Sequence, residues 1–151
     1  MDVLRLLEDE HDQAKSVFKK IEKAEGDAAG RLWDQLKSML TLHEAMEEKF
    51  FYPQLKAEKQ TEDLILESYQ EHHVMDVLIE EISQLDPADE AWHPKVLVLQ
   101  ENTEHHIKEE EGELFPKVRK IWNTAKREQV GRQMQEMKDR QQKANRERRA
   151  A

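Results

Sequence analysis

Apolar residues recur along this chain at three- and four-residue steps rather than at alternate positions. That is the period of an amphipathic helix, not of a half-buried strand. The first stripe is Leu4, Leu7, Ala14, Phe18 and Ile21, and the second is Leu32, Leu36, Met39, Leu40, Met46 and Phe50. The third uses Ile65, Tyr69, Met75 and Ile79; the fourth uses Leu99, Leu114 and Val118. Gly26 and Gly30 punctuate the first break, Pro53 and the polar "KAEKQTED" the second, and "LDPADEAWHP" the third, all turn signals. Helices are therefore predicted over 2–25, 31–57, 62–85 and 90–122. Short connections make sequential helices antiparallel neighbours, so the expected fold is all-α, an up-down-up-down antiparallel four-helix bundle. A fifth stretch, "AKREQVGRQMQEMKDRQ", puts Val130, Met134 and Met137 on one face despite Gly131. It predicts an additional C-terminal helix across the bundle. Residues 1–140 read as one domain and 141–151 as a basic, frayed tail.

The stripes also carry histidine. His11 lies between Leu7 and Ala14, His43 follows Leu36, Met39 and Leu40, His72 falls between Tyr69 and Met75, and His106 is seven residues after Leu99. Residues three, four or seven apart share a helix face, so each of the four helices aims one imidazole at the core. Glu47 and Glu110 follow His43 and His106 by four residues and bring a carboxylate in with them. The pattern is written twice. "HEAMEEKFFYP" opens at His43 and "HIKEEEGELFP" at His106, each with Pro ten residues on and each preceded by a lone Glu-His, at Glu10-His11 and Glu71-His72. The spacing from lone His to motif His is 32 residues in one half and 34 in the other. A solvated helix-face salt bridge accounts for one H-x-x-x-E; it does not account for two with matched upstream His, matched Pro and inward phase.

Four imidazoles and two carboxylates in one narrow core are costly unless something compensates their charge, and a pair of cations does so directly. The sequence holds no cysteine, which removes disulfides, thiolate nucleophiles and Cys-based metal sites, so metal donors are expected to be His and carboxylate. Mixed His and carboxylate ligation with open positions suits non-haem iron, and less specifically manganese or zinc. The net charge is −9, with a basic end: from Lys126 onward there are nine Lys/Arg against four Asp/Glu. An acidic body argues against a nucleic-acid partner. With 38% charged residues and no long apolar run, a soluble, cytoplasmic chain without membrane contact is expected, as a monomer or weak homodimer.

On these residues the chain resembles the hemerythrin-like (HHE cation-binding) family over about residues 3 to 140, including the helical tail. The resemblance implies His11, His43, Glu47, His72, His106 and Glu110 as metal ligands to two iron ions in an oxo- or hydroxo-bridged di-iron centre, with Glu47 and Glu110 as bridging carboxylates. One departure stands out. Where oxygen-carrying hemerythrins have a second His one turn after the third-helix ligand, this chain has Asp76; Asp76, Glu44 or water is left to fill the gap. His73 and His105 point roughly 100° away from their neighbouring ligands by helix geometry, and His93, beside Pro94, is expected in a loop and exposed. A ferritin-like site needs Glu-x-x-His on two helices; Glu8 and His11 supply it once only. The expected activity is binding and processing of a small oxidant, O2, hydrogen peroxide or nitric oxide. Acids near the open position (Asp76, Glu44, Tyr69) tilt the expectation toward catalase-like peroxide decomposition over a non-catalytic oxygen or iron binding, sensing or storage role.

Overall fold

The computed structural model describes residues 1–151 and contains helices joined by short turns, with no strand. α1 (Val3–Glu22) starts at Asp2, whose carboxylate accepts from the Leu4 amide at 2.8 Å, a side-chain N-cap. α2 (Gly26–Met46) begins five residues earlier than the glycines predict. Gly26, at φ +57°, makes the turn, a left-handed conformation that suits glycine. Gly30 lies inside the helix. α3 (Tyr52–Lys56), α4 (Glu62–Ser83), α5 (Trp92–Glu109), α6 (Phe115–Ile121) and α7 (Thr124–Ala150) complete the chain. α1 packs on α2, α5 and α7, α4 on α5, and α3 on α4. No helix is long and apolar enough to cross a membrane.

Two π-helical turns lie where the H-x-x-x-E motifs end, Glu47–Phe51 between α2 and α3 and Glu110–Leu114 between α5 and α6. The Tyr52 amide donates to Glu47 O and the Phe115 amide to Glu110 O, each five residues back. Pro53 and Pro116 explain the placement: proline has no N–H for the helical ladder and its ring clashes with the carbonyl four residues back, so the turn opens by one residue. The extra residue rotates the helix beyond it. Phe51 is fully buried and Phe50 only partly, the reverse of the α-helical expectation.

The core is in two parts. One apolar cluster includes Leu4, Leu7, Met46, Phe51, Ile65 and Leu114; the other includes Ala14, Phe18, Leu36, Leu40, Met75 and Leu99. α1, α2 and α4 contribute to both clusters, and α5 to the second with the π turn and α6 after it in the first; the buried polar residues His11, Glu44, Glu47, His72, His106 and Glu110 fall at the crossing. A polar layer thus lies between two apolar ones. α7 docks on α1 through buried Val130 and Met134 and through an Arg127–Asp2 ion pair of 2.7 Å. Gly131 is where the two chain segments touch: a Cβ there would stand 2.0 Å from the Met1 carbonyl oxygen. α7 continues to Ala150, past the predicted end at 140, so residues 141–150 are helical and almost wholly exposed. His93 sits in the first turn of α5 and is half-buried, not in an exposed loop. Pro94 beside it is tolerated there because first-turn amides have no helical partner.

Candidate metal centre

The six residues singled out by phase and motif converge in the polar layer. Ligand-type atoms of His11, His43, Glu47 and Glu110 lie within 4.8 Å of one another, as do those of Glu47, His72 and His106. Glu110 faces both groups, with Oε1 3.3 Å from His11 Nε2 and Oε2 3.2 Å from His106 Nε2. Glu47 Oε1 is 3.3 Å from His43 Nε2 and 3.2 Å from His72 Nε2. His105 is 63% exposed and His73 is exposed, so neither belongs to the layer.

Each imidazole is held from behind. His43 Nδ1 is 2.8 Å from Glu10, His72 Nδ1 3.0 Å from Glu48, His106 Nδ1 2.7 Å from Glu71 and His11 Nδ1 2.6 Å from Glu111. A proton on Nδ1 donated to the carboxylate leaves Nε2, the nitrogen aimed at the centre, with its lone pair free. The contacts form a closed ring: α1 orients an imidazole of α2, the turn after α2 one of α4, α4 one of α5, and the turn after α5 one of α1. In the sequence these four glutamates pass for ordinary surface charge. Their signal is position, since each is the immediate neighbour of an inward residue.

Tyr52 is the member of the layer that the motif does not announce. Its hydroxyl donates to the Glu110 carboxylate and lies 3.1 Å from Glu47 Oε1, 3.2 Å from His72 Nε2 and 3.2 Å from His106 Nε2. The repeat could have revealed it. Tyr52 occupies in "FFYP" the place that Phe115 occupies in "ELFP", and Phe115 stacks on His11 with centroids 6.2 Å apart. One half of the layer therefore has a hydroxyl at its centre and the other a bare ring.

Asp76 does not join the imidazoles in place of the absent histidine; it faces Glu44. Burial, then the hydrogen bond and charge of Asp76, push the Glu44 carboxyl up to about 10. Glu44, Glu48 and His72 make a further group of close ligand-type atoms. An open cavity of about 880 Å³ reaches the four imidazoles, walled near them by Ala14, Leu40, Met75, Thr103 and Ile107 and bordered farther out by α7.

The donor set fits a cation. His11 Nε2, His43 Nε2, Glu47 Oε2 and Glu110 Oε1 are buried atoms with no hydrogen-bond partner, and all four belong to one group. Buried polar atoms are seldom left so, and a divalent ion would satisfy them together. Without one, burial lowers the basicity of His43 and His106, but Glu47 and Glu10 around the first and Glu110, Glu71 and Glu47 around the second outweigh it and raise both well above the usual imidazole range. Burial and the Glu110 and Glu47 charges hold the Tyr52 phenol well above 10.

Among curated proteins none matches the sequence. The sequence model of the hemerythrin HHE cation binding domain matches residues 2–118, more than half of the chain. The chain belongs to the hemerythrin HHE cation-binding family. Its fold is similar to the crystal structure of a hemerythrin HHE cation binding domain-containing protein from Mycobacterium kansasii, with a TM-score of 0.81 at 22% identity over 92% of this chain and 86% of that one. α7 lies beyond the family's matched segment, although it reaches the same layer.

The protonation of this HHE chain couples to metal. Ligation requires neutral imidazoles, so binding must displace protons from His43, His72 and His106. The apparent Zn(II) affinity is expected to rise as pH climbs above 6.5 and through the raised folded values of His43 and His106, with protons released on binding. The raised imidazole pKa values stabilise the metal-free fold fully below 6.5, the unfolded value, and that contribution fades as pH climbs through the folded values. Affinity and metal-free stability should therefore move oppositely with pH, which competition titration and urea unfolding would read. A flat affinity would contradict it.

Proposed function

We propose that this chain is a non-haem di-iron protein that binds and processes a small oxidant, O2, hydrogen peroxide or nitric oxide, with peroxide decomposition favoured. The observation that carries the proposal is the pair of adjoining donor groups that meet at Glu47 and Glu110. In this reading His11 and His43 would hold one iron, His72, His106 and the Tyr52 oxygen the other, and Glu47 and Glu110 would supply carboxylate oxygens to both. The helices in this reading follow an up-down-up-down order with α7 added, and each long helix of the bundle contributes one imidazole to the layer.

Bound iron supplies Lewis acidity and one-electron redox chemistry. The protein does the rest. The four outer carboxylates aim the Nε2 lone pairs, and the apolar clusters on either side leave the cavity as the approach to the layer. The cavity leads to the imidazoles past an apolar wall of Ala14, Leu40, Met75 and Ile107, a path open to a small neutral ligand such as O2 or peroxide. The buried Glu44 carboxyl, raised to about 10, and the Tyr52 hydroxyl are proton-bearing groups at the layer. Peroxide decomposition needs protons moved at the reacting oxygens, whereas reversible oxygen carriage works best with none to spare. These acids favour processing over the second reading, a non-catalytic oxygen or iron binding, sensing or storage protein.

The test is anaerobic loading with ferrous iron, brief exposure to air, desalting and elemental analysis, followed by an oxygen electrode trace on adding peroxide. About two irons per chain with oxygen evolution is the expected result. Iron without oxygen evolution would select the second reading, and no retained iron would overturn both.

A further inference from the structure

Of the four carboxylates that back the imidazoles, Glu10 differs from Glu48, Glu71 and Glu111 in being paired with a lysine or arginine. Its Oε1 is 2.8 Å from His43 Nδ1 and its Oε2 is 2.9 Å from Lys138 Nζ on α7. The pair is sheltered: the Glu10 side chain is 11% exposed and that of Lys138 is 20%. The lysine's position is imposed by the way α7 docks. Gly131 lets the helix backbone touch the N-terminus, Val130 and Met134 fix its face, and Lys138 stands two helical turns beyond Gly131.

We propose that Lys138 is a positioning residue for the metal position held by His11 and His43: by sharing the charge of Glu10 it weakens the carboxylate's pull on His43 and makes that position the more easily reduced of the two. The proposal rests on the di-iron reading. A carboxylate accepting from Nδ1–H enriches the imidazole in electron density, makes Nε2 a stronger donor and so favours the ferric state. A lysine on the other oxygen draws that density back. The carboxylates behind His72, His106 and His11 have no lysine or arginine on them, Glu71 meeting only the exposed His105 at 3.6 Å, so α7 distinguishes one metal position from its neighbour.

The experiment measures the midpoint potential of the first one-electron reduction of the iron-loaded protein, with iron content and helicity recorded alongside. Lys138→Met is expected to lower the potential, by about tenfold in the ferric-to-ferrous preference or ~59 mV. Glu10→Gln keeps an acceptor oxygen but removes the charge, and is expected to raise it. Lys138→Arg should restore the parent value. A purely structural contact would not give opposite signs. Potentials that stay put, or move together, in proteins that retain iron would overturn the inference alone; a parent protein that takes up no iron would bring down the di-iron reading with it. Should Lys138→Met fail to fold, Glu10→Gln still reports, because the freed lysine can reach water.

Discussion

Tyr52→Phe is expected to abolish the visible phenolate-to-iron(III) charge-transfer absorption of the loaded protein and to lower iron retention from about two per chain toward one. The hydroxyl is surrounded by Glu47 Oε1, Glu110 Oε2, His72 Nε2 and His106 Nε2, the donor atoms of the second position. In the metal-free protein the phenol keeps its proton, because burial and two carboxylates oppose a phenolate. A cation at that place reverses the balance, since a nearby positive charge favours the ionised form of any acid. Folding should survive. Phe115 shows that this architecture accepts a phenyl ring at the equivalent place, and the lost hydrogen bonds cost on the order of 1–3 kcal/mol if the carboxylates stay unpaired. A visible spectrum identical to the parent's would remove Tyr52 from the coordination sphere.

Glu47→Gln should have a wider effect, loss of iron from both positions. Glu47 is fully buried and touches the imidazoles of His43 and His72 as well as Tyr52, so its charge serves both sides of the layer. The amide is nearly the same shape but neutral and a weak ligand, and a cation pair would then be short one negative charge at its shared edge. Elemental analysis should find well under one iron per chain. The metal-free variant is expected to lose stability too, by up to about 3 kcal/mol, because His43 and His72 lose their buried counter-charge, with deprotonation of the imidazoles limiting the loss. Retention of a full iron complement by this variant would rule out Glu47 as the shared ligand.

Much of this centre is readable from the chain itself. Period locates the helices of the bundle to within five residues, though not the end of α7, and phase with the proline spacing separates His72 from His73 and His106 from His105, because one position on a helix is 100°. What phase does not carry is the π turn, which depends on where a proline meets a helix already fixed by packing. That is why Phe51 and Tyr52 face inward and Phe50 does not. Donor chemistry limited to His and carboxylate also leaves out the phenol, although the Tyr-for-Phe difference between the two motif copies is visible in the sequence. The outer glutamates escape for another reason. Glu48 and Glu111 sit within dense acidic runs, where local composition cannot tell a solvated carboxylate from one that reaches across to the next helix.

The ring of carboxylates crosses between the two copies of the motif: Glu48 of the first half backs His72 of the second, and Glu111 of the second backs His11 of the first. The aromatic residues cross in the same sense, Tyr52 toward His72 and Phe115 toward His11. Neither half could build a complete metal position by itself. A self-assembling pair of first halves would carry tyrosine on both sides, and a pair of second halves phenylalanine on both. Joining the halves in one polypeptide lets them differ, so covalent continuity is what lets the two sides of this layer carry unlike residues at one equivalent place, tyrosine beside His72 and phenylalanine beside His11.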